Sequence, residues 1–425
     1  MSAEIAEPVE RHTGRLGRVA GLMMGNIAGR VAALGSLGVA TILVARAGGP
    51  ALVGGFTLVR ILPGVMSHLS NCGLPGAAPY FLAKDDYDQT RVRPTLAALT
   101  VGGAVLGGLC WLLLSPLLFR LFFESFGFGI ALAAAVPCFT QGFVSVGKGL
   151  LQGTGDMRGA SLAIAVEEAV YLPMYFLLLV AWYGMGMVLA ALVLADLAAA
   201  GWIAVRLWRR GFFAGWRRVD PRLARRMAGY GMRGQIGSLI DLLNLRLDVA
   251  FLGAIAGPAS LGVYTVASKF AELVQLPGLA VNYVLYPDFA KQDRVTAGRR
   301  TARMILPALG VSVLAAAVLA LLTGMVLPHL FGDAFGGAVE PTYILLCGLV
   351  TYGVSGLVMA YLYGVGRPGA ASWAQGAGLL VTAVLDLALI PRYGAVGAAI
   401  ASAISYTVTT AVVLMAFARI RRGTS

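Results

Sequence analysis

The sequence is poor in charge, cysteine and histidine. Only 12% of its 425 residues are charged, whereas 58% are hydrophobic, and it contains 4 cysteines and 3 histidines. A soluble domain carries about 25% charged residues, so this composition argues against a soluble enzyme. The cysteines stand alone within or beside apolar segments, which predicts small hydrophobic side chains rather than disulfides or metal ligands. The chain is therefore predicted to be a polytopic membrane protein.

Long apolar segments recur along the whole chain. A helix crosses the bilayer core with about 20 mostly apolar residues. By this measure the sequence predicts an all-α protein with twelve spans, at residues 18–45, 51–74, 94–119, 126–150, 159–182, 184–208, 228–255, 259–287, 303–330, 340–364, 369–391 and 394–418.

The arginines and lysines are divided unevenly among the connections between these spans. The connections on the same side as the N-terminus hold 25 of them, and the opposite connections hold 3. The positive-inside rule then predicts that both termini are cytoplasmic. The formal net charge of +13 is expected to face anionic headgroups and not nucleic acid.

The two halves of the chain form a tandem repeat with an offset of about 210 residues. Residues 47–57 match residues 255–265, the stretch 153–155 recurs at 364–366, and the pair 183–184 recurs at 393–394. This repeat predicts two six-helix lobes, 1–215 and 216–425, joined by a basic stretch at 209–226. Both copies would enter the membrane with the same orientation, an arrangement that suggests a site between the lobes.

Polar and charged side chains occur inside several predicted spans, where they are costly and are functional candidates by default. Steps of three and four residues place members of the seventh span on one helical face. That polar stripe consists of Gln235, Ser238, Asp241, Asn244 and Asp248. The other candidates are Asn26, Arg30, Arg60, Glu168, Arg246, Lys269, Glu272 and Asp386.

These side chains are predicted to line a hydrated cavity between the lobes. The alternative is that they form buried pairs that hold helices together, such as Lys269 with Glu272 three residues later. The sequence alone leaves both interpretations open.

Motifs for catalysis or cofactor binding are incomplete. The stretch 142–148 resembles the start of a phosphate loop, but Gly149 stands where a serine or threonine would hold magnesium. No nucleophile, base and orienting group stand at a usable spacing. The sequence therefore predicts a transporter rather than an enzyme, with no cofactor and with H⁺ or Na⁺ as a candidate coupling ion.

Several stretches resemble the polysaccharide-flippase branch of the multidrug/oligosaccharidyl-lipid/polysaccharide (MOP) transporter superfamily. They are residues 244–248, 261–264, 267–272, 286–287, 330–332, 364–368, 391–394 and 397–399 in the second half, and residues 73–75 and 151–153 in the first. The resemblance implies two six-helix lobes that work by alternating access. It also implies movement of a polyprenyl-pyrophosphate-linked oligosaccharide across the bacterial inner membrane.

The resemblance further implies roles for the intramembrane candidates. Positively charged groups would attract the pyrophosphate, and the polar residues Asn26 and Gln235 would bind substrate beside them. The cations are Arg30, Arg60, Arg246 and Lys269. The acids that would balance them or carry a coupling ion are Asp241, Asp248, Glu272, Asp386 and Glu168. The implied partners are the lipid-linked oligosaccharide, membrane lipids and glycan-assembly enzymes.

Other functions stay open at this point. One is a MATE-like cation-coupled exporter of drugs or metabolites, from the same superfamily. Another is a scaffold that recruits envelope-assembly enzymes through residues 209–226, and a third is a membrane-embedded glycan ligase. The twelve predicted spans disfavour a peptidoglycan precursor as substrate, because the lipid II flippase branch is expected to have fourteen.

Overall fold

The computed structural model describes residues 7–84, 87–181, 184–215, 218–276 and 294–422, and for residues 7–34 it describes the backbone only. Within these ranges the chain is almost entirely helical and contains no β-strand. The α-helices are α1 (Glu7–Ser70), α2 (Leu74–Ala83), α3 (Gln89–Leu118), α4 (Phe128–Ala133), α5 (Ala135–Gly153), α6 (Met157–Ala181), α7 (Met185–Arg209), α8 (Pro221–Ile255), α9 (Gly257–Ala271), α10 (Arg294–Phe331), α11 (Val339–Gly364) and α12 (Pro368–Arg422).

Eight helical segments of the described chain are long and apolar enough to cross a membrane. They are Gly35–Ser70, Gln89–Phe126, Phe128–Gly153, Met157–Leu177, Met185–Arg209, Val295–Phe331, Asp333–Gly364 and Gly369–Arg421. Their outward faces carry large apolar side chains such as Leu113 and Leu321, which are 81% and 85% exposed. Exposed apolar surface on this scale suits contact with acyl chains rather than water. The chain is a multi-pass membrane protein.

The difference between eight segments and twelve predicted spans has physical causes. Two segments each contain a backbone break, at Gly49 in α1 and at Gly394 in α12, and each covers two predicted spans. Helix α8 carries three charged residues within eight positions, and α9 is only 15 residues long. The end of the predicted span 259–287 lies outside the described residues.

The breaks and turns repeat along the chain. Gly49 and Gly257 both adopt positive φ angles, 64° and 77°, at equivalent positions of the tandem repeat. A side chain with a Cβ rarely adopts this conformation, which explains glycine at both places. The turns at Gly155 and Gly366 are equivalent in the same way, with φ angles of 78° and 72°. Residues 153–155 and 364–366 thus form equivalent helix-connecting turns.

The described residues group into two compact units. Unit 1 comprises residues 1–40, 63–115 and 132–235, and unit 2 comprises residues 41–62, 116–131 and 236–425. The core of unit 1 lies among α2, α3, α5 and α7 and includes Phe81, Leu96, Leu150 and Ile203. The core of unit 2 lies among α10, α11 and α12. The lobes predicted from the repeat, 1–215 and 216–425, stay a prediction.

Glycines allow close helix contacts within unit 2. A Cβ added to Gly54 would overlap the carbonyl oxygen of Pro258, and a Cβ added to Gly262 would overlap that of Pro50. The two contacts are equivalent under the repeat, because Pro50 corresponds to Pro258 and Gly54 to Gly262. Small residues at membrane helix crossings permit such a backbone approach. One turn further on, Thr57 Oγ1 donates to Thr265 Oγ1, its own repeat equivalent, at 3.2 Å.

Asp156 connects the turn after α5 to α7 within unit 1. Its Oδ2 accepts hydrogen bonds from Arg206 Nη1 at 2.6 Å and lies 3.0 Å from Arg210 Nη2. Its Oδ1 accepts the backbone N–H of Gly159 at 2.9 Å and caps the first turn of α6. Burial alone would raise the pKa of Asp156. The hydrogen bonds from Arg206 and Gly159 and the charges of both arginines outweigh this effect and hold the pKa below its ordinary value.

Asp156→Asn is expected to lower the unfolding free energy by about 1–2 kcal/mol, a value that allows for solvent screening of the two partly exposed arginines. Because the folded-state pKa lies below the unfolded value of about 3.9, the stabilisation is present above that pH. It is lost as the pH falls through the folded value. Thermal unfolding of the detergent-solubilised protein between pH 7 and pH 3 measures this effect.

The exposed carboxylate of Asp88 supplies the control, because its nearest cation is Arg91, at 3.7 Å across solvent-exposed surface. Asp88→Asn is expected to change the melting temperature at pH 7 by less than Asp156→Asn. Equal melting temperatures for wild type and Asp156→Asn at pH 7 would contradict the assignment of a stabilising ion pair.

Candidate functional site

The polar stripe of α8 is buried at Asn244 and Asp248, whereas Ser238 on the same stripe is exposed. Asn244 and Asp248, one helical turn apart, are both buried within unit 2. Asn244 Nδ2 donates to Gln375 Oε1 on α12 at 2.9 Å. Asn244 therefore contacts a neighbouring helix of the same unit, and it shares one helical face with Asp248, as their spacing predicts.

Asp248 is held by groups from two other helices. Tyr264 on α9 donates its phenolic hydrogen to Asp248 Oδ2 at 2.5 Å, and Tyr264 Oη lies 3.0 Å from Ser402 Oγ on α12. The backbone N–H of Val249 donates to Asp248 Oδ1 at 2.7 Å. A charged acceptor strengthens such bonds, so this chain of contacts fixes the position of α8 against α9 and α12. We call Asn244, Asp248, Tyr264, Gln375, Asp386 and Ser402 the unit 2 polar cluster.

Asp386 stands out within the unit 2 polar cluster. Its side chain is fully buried, and neither carboxylate oxygen accepts a hydrogen bond from any residue that the structure describes. Asp248 is close enough for the two negative charges to repel each other. A buried carboxylate without hydrogen bonds is unstable unless it is neutralised. Asp386 therefore takes no part in the hydrogen bonds that join the described helices of unit 2.

Lys269 and Glu272 form an ion pair at the end of α9. Lys269 Nζ lies 2.7 Å from Glu272 Oε2, and the two side chains are 33% and 44% exposed. The alternative interpretation predicted this pairing, but the pair is partly exposed and joins two residues of one helical segment rather than two helices. The charge of Lys269 is thus largely balanced by its own helix.

The two candidate arginines of unit 2, Arg60 and Arg246, have different surroundings. The guanidinium of Arg60 lies 5.9 Å from the centre of the Phe56 ring on its own helix. Arg246 is partly buried and close enough to Asp248 for their charges to attract. Both groups therefore lie in unit 2 together with Asp248, Lys269, Glu272 and Asp386.

Gln235, by contrast, belongs to unit 1. Its Nε2 donates to the backbone carbonyl of His68 at 2.6 Å. Nearby in the same unit, Asn71 Nδ2 donates to the carbonyl of Gly142 at 3.2 Å, and Thr140 Oγ1 donates to Asp196 at 3.0 Å. These bonds join neighbouring segments of unit 1, so the side chains that form them stabilise helix packing. The side chains of Asn26, Arg30, Glu168 and Asp241 lie outside the described residues.

Sequence reasoning did not single out Tyr264, Ser402 or Tyr406. A signal was present, because Ser402, Ser405, Tyr406 and Thr409 share one face of α12 at steps of three and four residues. Ser402 contacts Tyr264, and the Tyr406 hydroxyl lies within electrostatic range of Asp248. Across the described chain, no three His, Cys, Asp or Glu side chains come together in a way that could hold a metal ion.

Comparisons with known proteins show which family the chain resembles. Residues 18–293 match the family described as polysaccharide biosynthesis protein. The probable low-salt glycan biosynthesis flippase Agl15 of Haloferax volcanii is 23% identical over 191 residues, which make up 44% of this chain and 40% of that relative. The chain therefore aligns with less than half of that relative's length.

Solved structures share the fold over nearly the whole chain. The lipid II flippase MurJ in an inward closed conformation superimposes with a TM-score of 0.77 at 12% identity, over 94% of this chain and 89% of MurJ. A multidrug resistance MATE transporter in an inward-facing conformation superimposes with a TM-score of 0.71 at 19% identity, over 91% of this chain and 94% of the transporter. A MOP-superfamily transporter from Pyrococcus furiosus superimposes with a TM-score of 0.63 at 17% identity, over 94% of each chain.

These matches identify the family and the fold of the chain. The family match alone covers well over half of the chain. The chain is a member of the polysaccharide biosynthesis protein family and has the fold of a MOP-superfamily transporter.

Proposed function

We propose that this protein is a flippase that moves polyprenyl-pyrophosphate-linked oligosaccharides from the cytoplasmic to the outer leaflet of the bacterial inner membrane. The observation that carries the proposal is the match of residues 18–293 to the polysaccharide biosynthesis family. The flippase Agl15 and the flippase MurJ support the same class of activity. The protein acts as a transporter and not as an enzyme, and its partners are the lipid-linked substrate, membrane lipids and glycan-assembly enzymes.

The proposed layout has two six-helix lobes, 1–215 and 216–425, with both termini in the cytoplasm. The equivalent turns at Gly49 and Gly257 and at Gly155 and Gly366 support two copies of one helical pattern. The excess of arginine and lysine on one side supports the orientation. The lobes alternate access to the two leaflets, as parallel repeats in transporters do.

The positive charges of the spans receive the substrate pyrophosphate in this proposal. Arg60 and Arg246 are the candidates with described side chains, and Arg30 of α1 completes the set of arginines. Guanidinium groups hold phosphate oxygens with two parallel hydrogen bonds, so they suit this task better than Lys269. Lys269 stays paired with Glu272 until substrate competes for it.

The unit 2 polar cluster couples transport to an ion. Asp248 and Asp386 repel each other when both are ionised, so binding of one H⁺ or Na⁺ relieves the repulsion. The same observation favours a second candidate function, a MATE-like cation-coupled exporter, because a MATE transporter shares the fold. The two functions differ in substrate and not in this coupling group.

Reconstitution in liposomes tests the proposal directly. We expect protein-dependent movement of a labelled polyprenyl-pyrophosphate oligosaccharide to the leaflet in which an impermeant lectin detects it. Replacing Arg60 or Arg246 by alanine removes charge-assisted hydrogen bonds worth about 1.5–3 kcal/mol each. Translocation rates at subsaturating substrate should therefore fall by about tenfold or more.

Arg392→Ala is the matched control, because it removes an exposed arginine from a predicted outer connection. It should leave the rate unchanged. Absence of translocation by the wild type, or full activity of the Arg60→Ala and Arg246→Ala double variant, would overturn the proposal. Cation-driven efflux of an ethidium-like dye that Asp248→Asn abolishes would instead identify the exporter.

A further inference from the structure

A second polar site lies in unit 1 and shares no residue with the unit 2 polar cluster. A cavity of about 370 Å³ is lined by Leu82, Gln89, Arg93, Gly153, Thr154 and Arg210. These residues come from the ends of α2, α3, α5 and α7, at the end of unit 1 where the arginine distribution predicts the cytoplasm. The cavity is several times larger than a phosphate group.

Two arginines of the cavity wall are held in place by the surrounding backbone. Arg93 Nη1 donates to the carbonyl of Arg210 at 3.0 Å, and the Arg93 guanidinium lies 5.9 Å from the centre of the Phe212 ring. Arg210 Nη1 donates to Thr154 Oγ1 at 3.2 Å. The two guanidinium groups are thus positioned before any ligand arrives, which lowers the entropy cost of binding.

The wall carries an excess of positive charge. None of the described residues that line the cavity is acidic. The neighbouring carboxylate of Asp156 is shared by Arg206 and Arg210, so one negative charge faces two positive ones. Arg93 adds a third cation, and its buried Nε donates to no acceptor among the described residues. An anion with several oxygens would balance the excess and satisfy this donor.

The remaining wall supplies a neutral donor and an apolar side. Gln89 Nε2 donates one hydrogen to the carbonyl of Phe81 at 3.3 Å and carries a second one for an anion, whereas Thr154 Oγ1 donates its single hydrogen to the carbonyl of Leu151 at 2.9 Å. The turn at Gly153 carries no side chain that would narrow the cavity. Leu82 gives one apolar surface. Tetrahedral oxyanions bind well where guanidinium forks and neutral donors converge.

We propose that this cavity binds one anionic phosphate group, from either an anionic phospholipid headgroup or a soluble phosphate ester. The site is separate from the unit 2 polar cluster and does not depend on the proposed flippase activity. Its position at the predicted cytoplasmic end of the helices places it at the depth of lipid headgroups. Occupancy would connect the ends of α3, α5 and α7 through one shared anion.

Titrations of the purified full-length protein in neutral detergent test this proposal. Binding is measured by calorimetry and by the shift in melting temperature. The probes are inorganic phosphate at pH 7, short-chain phosphatidylglycerol and short-chain phosphatidylcholine, each against chloride at equal ionic strength. We expect saturable binding of phosphate or phosphatidylglycerol, and weaker binding of the zwitterionic lipid.

The variant Arg93→Gln should weaken binding by about tenfold or more, because it removes a charge-assisted fork. Arg93→Lys keeps the charge without the fork and should bind with intermediate affinity. Arg209→Gln is the control, since this exposed neighbour of Arg210 does not line the cavity. If Arg93→Gln does not fold, Gln89→Leu tests the same wall without changing its charge and should also weaken binding.

The probes distinguish the two sources of the phosphate group. Saturation with phosphatidylglycerol alone identifies a lipid headgroup, and saturation with inorganic phosphate identifies a soluble ester. No saturable binding of either probe would overturn the proposal. Binding that is unchanged in Arg93→Gln, or equally weakened in Arg209→Gln, would do the same. None of these results requires translocation, so they are independent of the flippase assay.

Discussion

Gly262→Ala is expected to disrupt unit 2 and to abolish transport. The added Cβ would overlap the carbonyl oxygen of Pro50, which is backbone and cannot rotate away like a side chain. The two helices would have to separate where residues 47–57 meet residues 255–265. Overpacking of a tight contact costs about 1–3 kcal/mol, and a backbone clash lies at the upper end of that range. Gly54→Ala should act in the same way against Pro258.

Melting temperature in detergent and translocation in liposomes measure this effect. Gly38→Ala is the matched control for Gly54→Ala, because both glycines lie in α1 and a Cβ at Gly38 meets nothing within 4 Å. It should match the wild type or be slightly more stable, since alanine is the better helix former. Wild-type stability and transport in Gly262→Ala would show that the crossing of the two helices is not tight in the membrane.

The local structure of the two segments that cross could be predicted from the sequence. The match of residues 47–57 to residues 255–265 identified two equivalent segments, and the glycines at 49 and 257 do form equivalent breaks. The sequence could not indicate that the two copies contact each other, with Thr57 bonded to Thr265. A repeat reveals similar local structure, whereas the packing of one copy on the other depends on the tertiary fold.

At the candidate site, too, local features could be predicted from the sequence, whereas contacts between distant helices could not. The pairing of Lys269 with Glu272 was predictable because residues three apart on one helix are neighbours. The shared helical face of Asn244 and Asp248 was predictable from their spacing, whereas their burial was not, since Ser238 on the same face is exposed. The partners Tyr264 and Ser402 were missed, because they come from α9 and α12 and no local pattern connects them to Asp248. The phosphate cavity was missed for the same reason, since its wall joins the ends of several helices.

Asp386→Asn is expected to increase stability while it abolishes ion-coupled transport. The substitution keeps the shape of a fully buried side chain and removes a charge that no described residue hydrogen-bonds. Relief of an unsatisfied, repelled carboxylate should raise the unfolding free energy by about 1–3 kcal/mol. An amide cannot bind a proton or balance a cation in the same way, so coupling should be lost.

Tyr264→Phe separates this effect from simple packing. It removes the hydrogen bond to Asp248 but leaves both carboxylates and nearly all of the side-chain volume. We expect it to lower stability and to slow transport only partly, which is the opposite pattern to Asp386→Asn. If Asp386→Asn were less stable than the wild type and still transported substrate against an ion gradient, the carboxylate would serve helix packing. A gain in melting temperature combined with loss of gradient-driven transport would instead assign Asp386 to ion coupling. If the carboxylate served only to stabilise the fold, its removal would lower the melting temperature and not raise it.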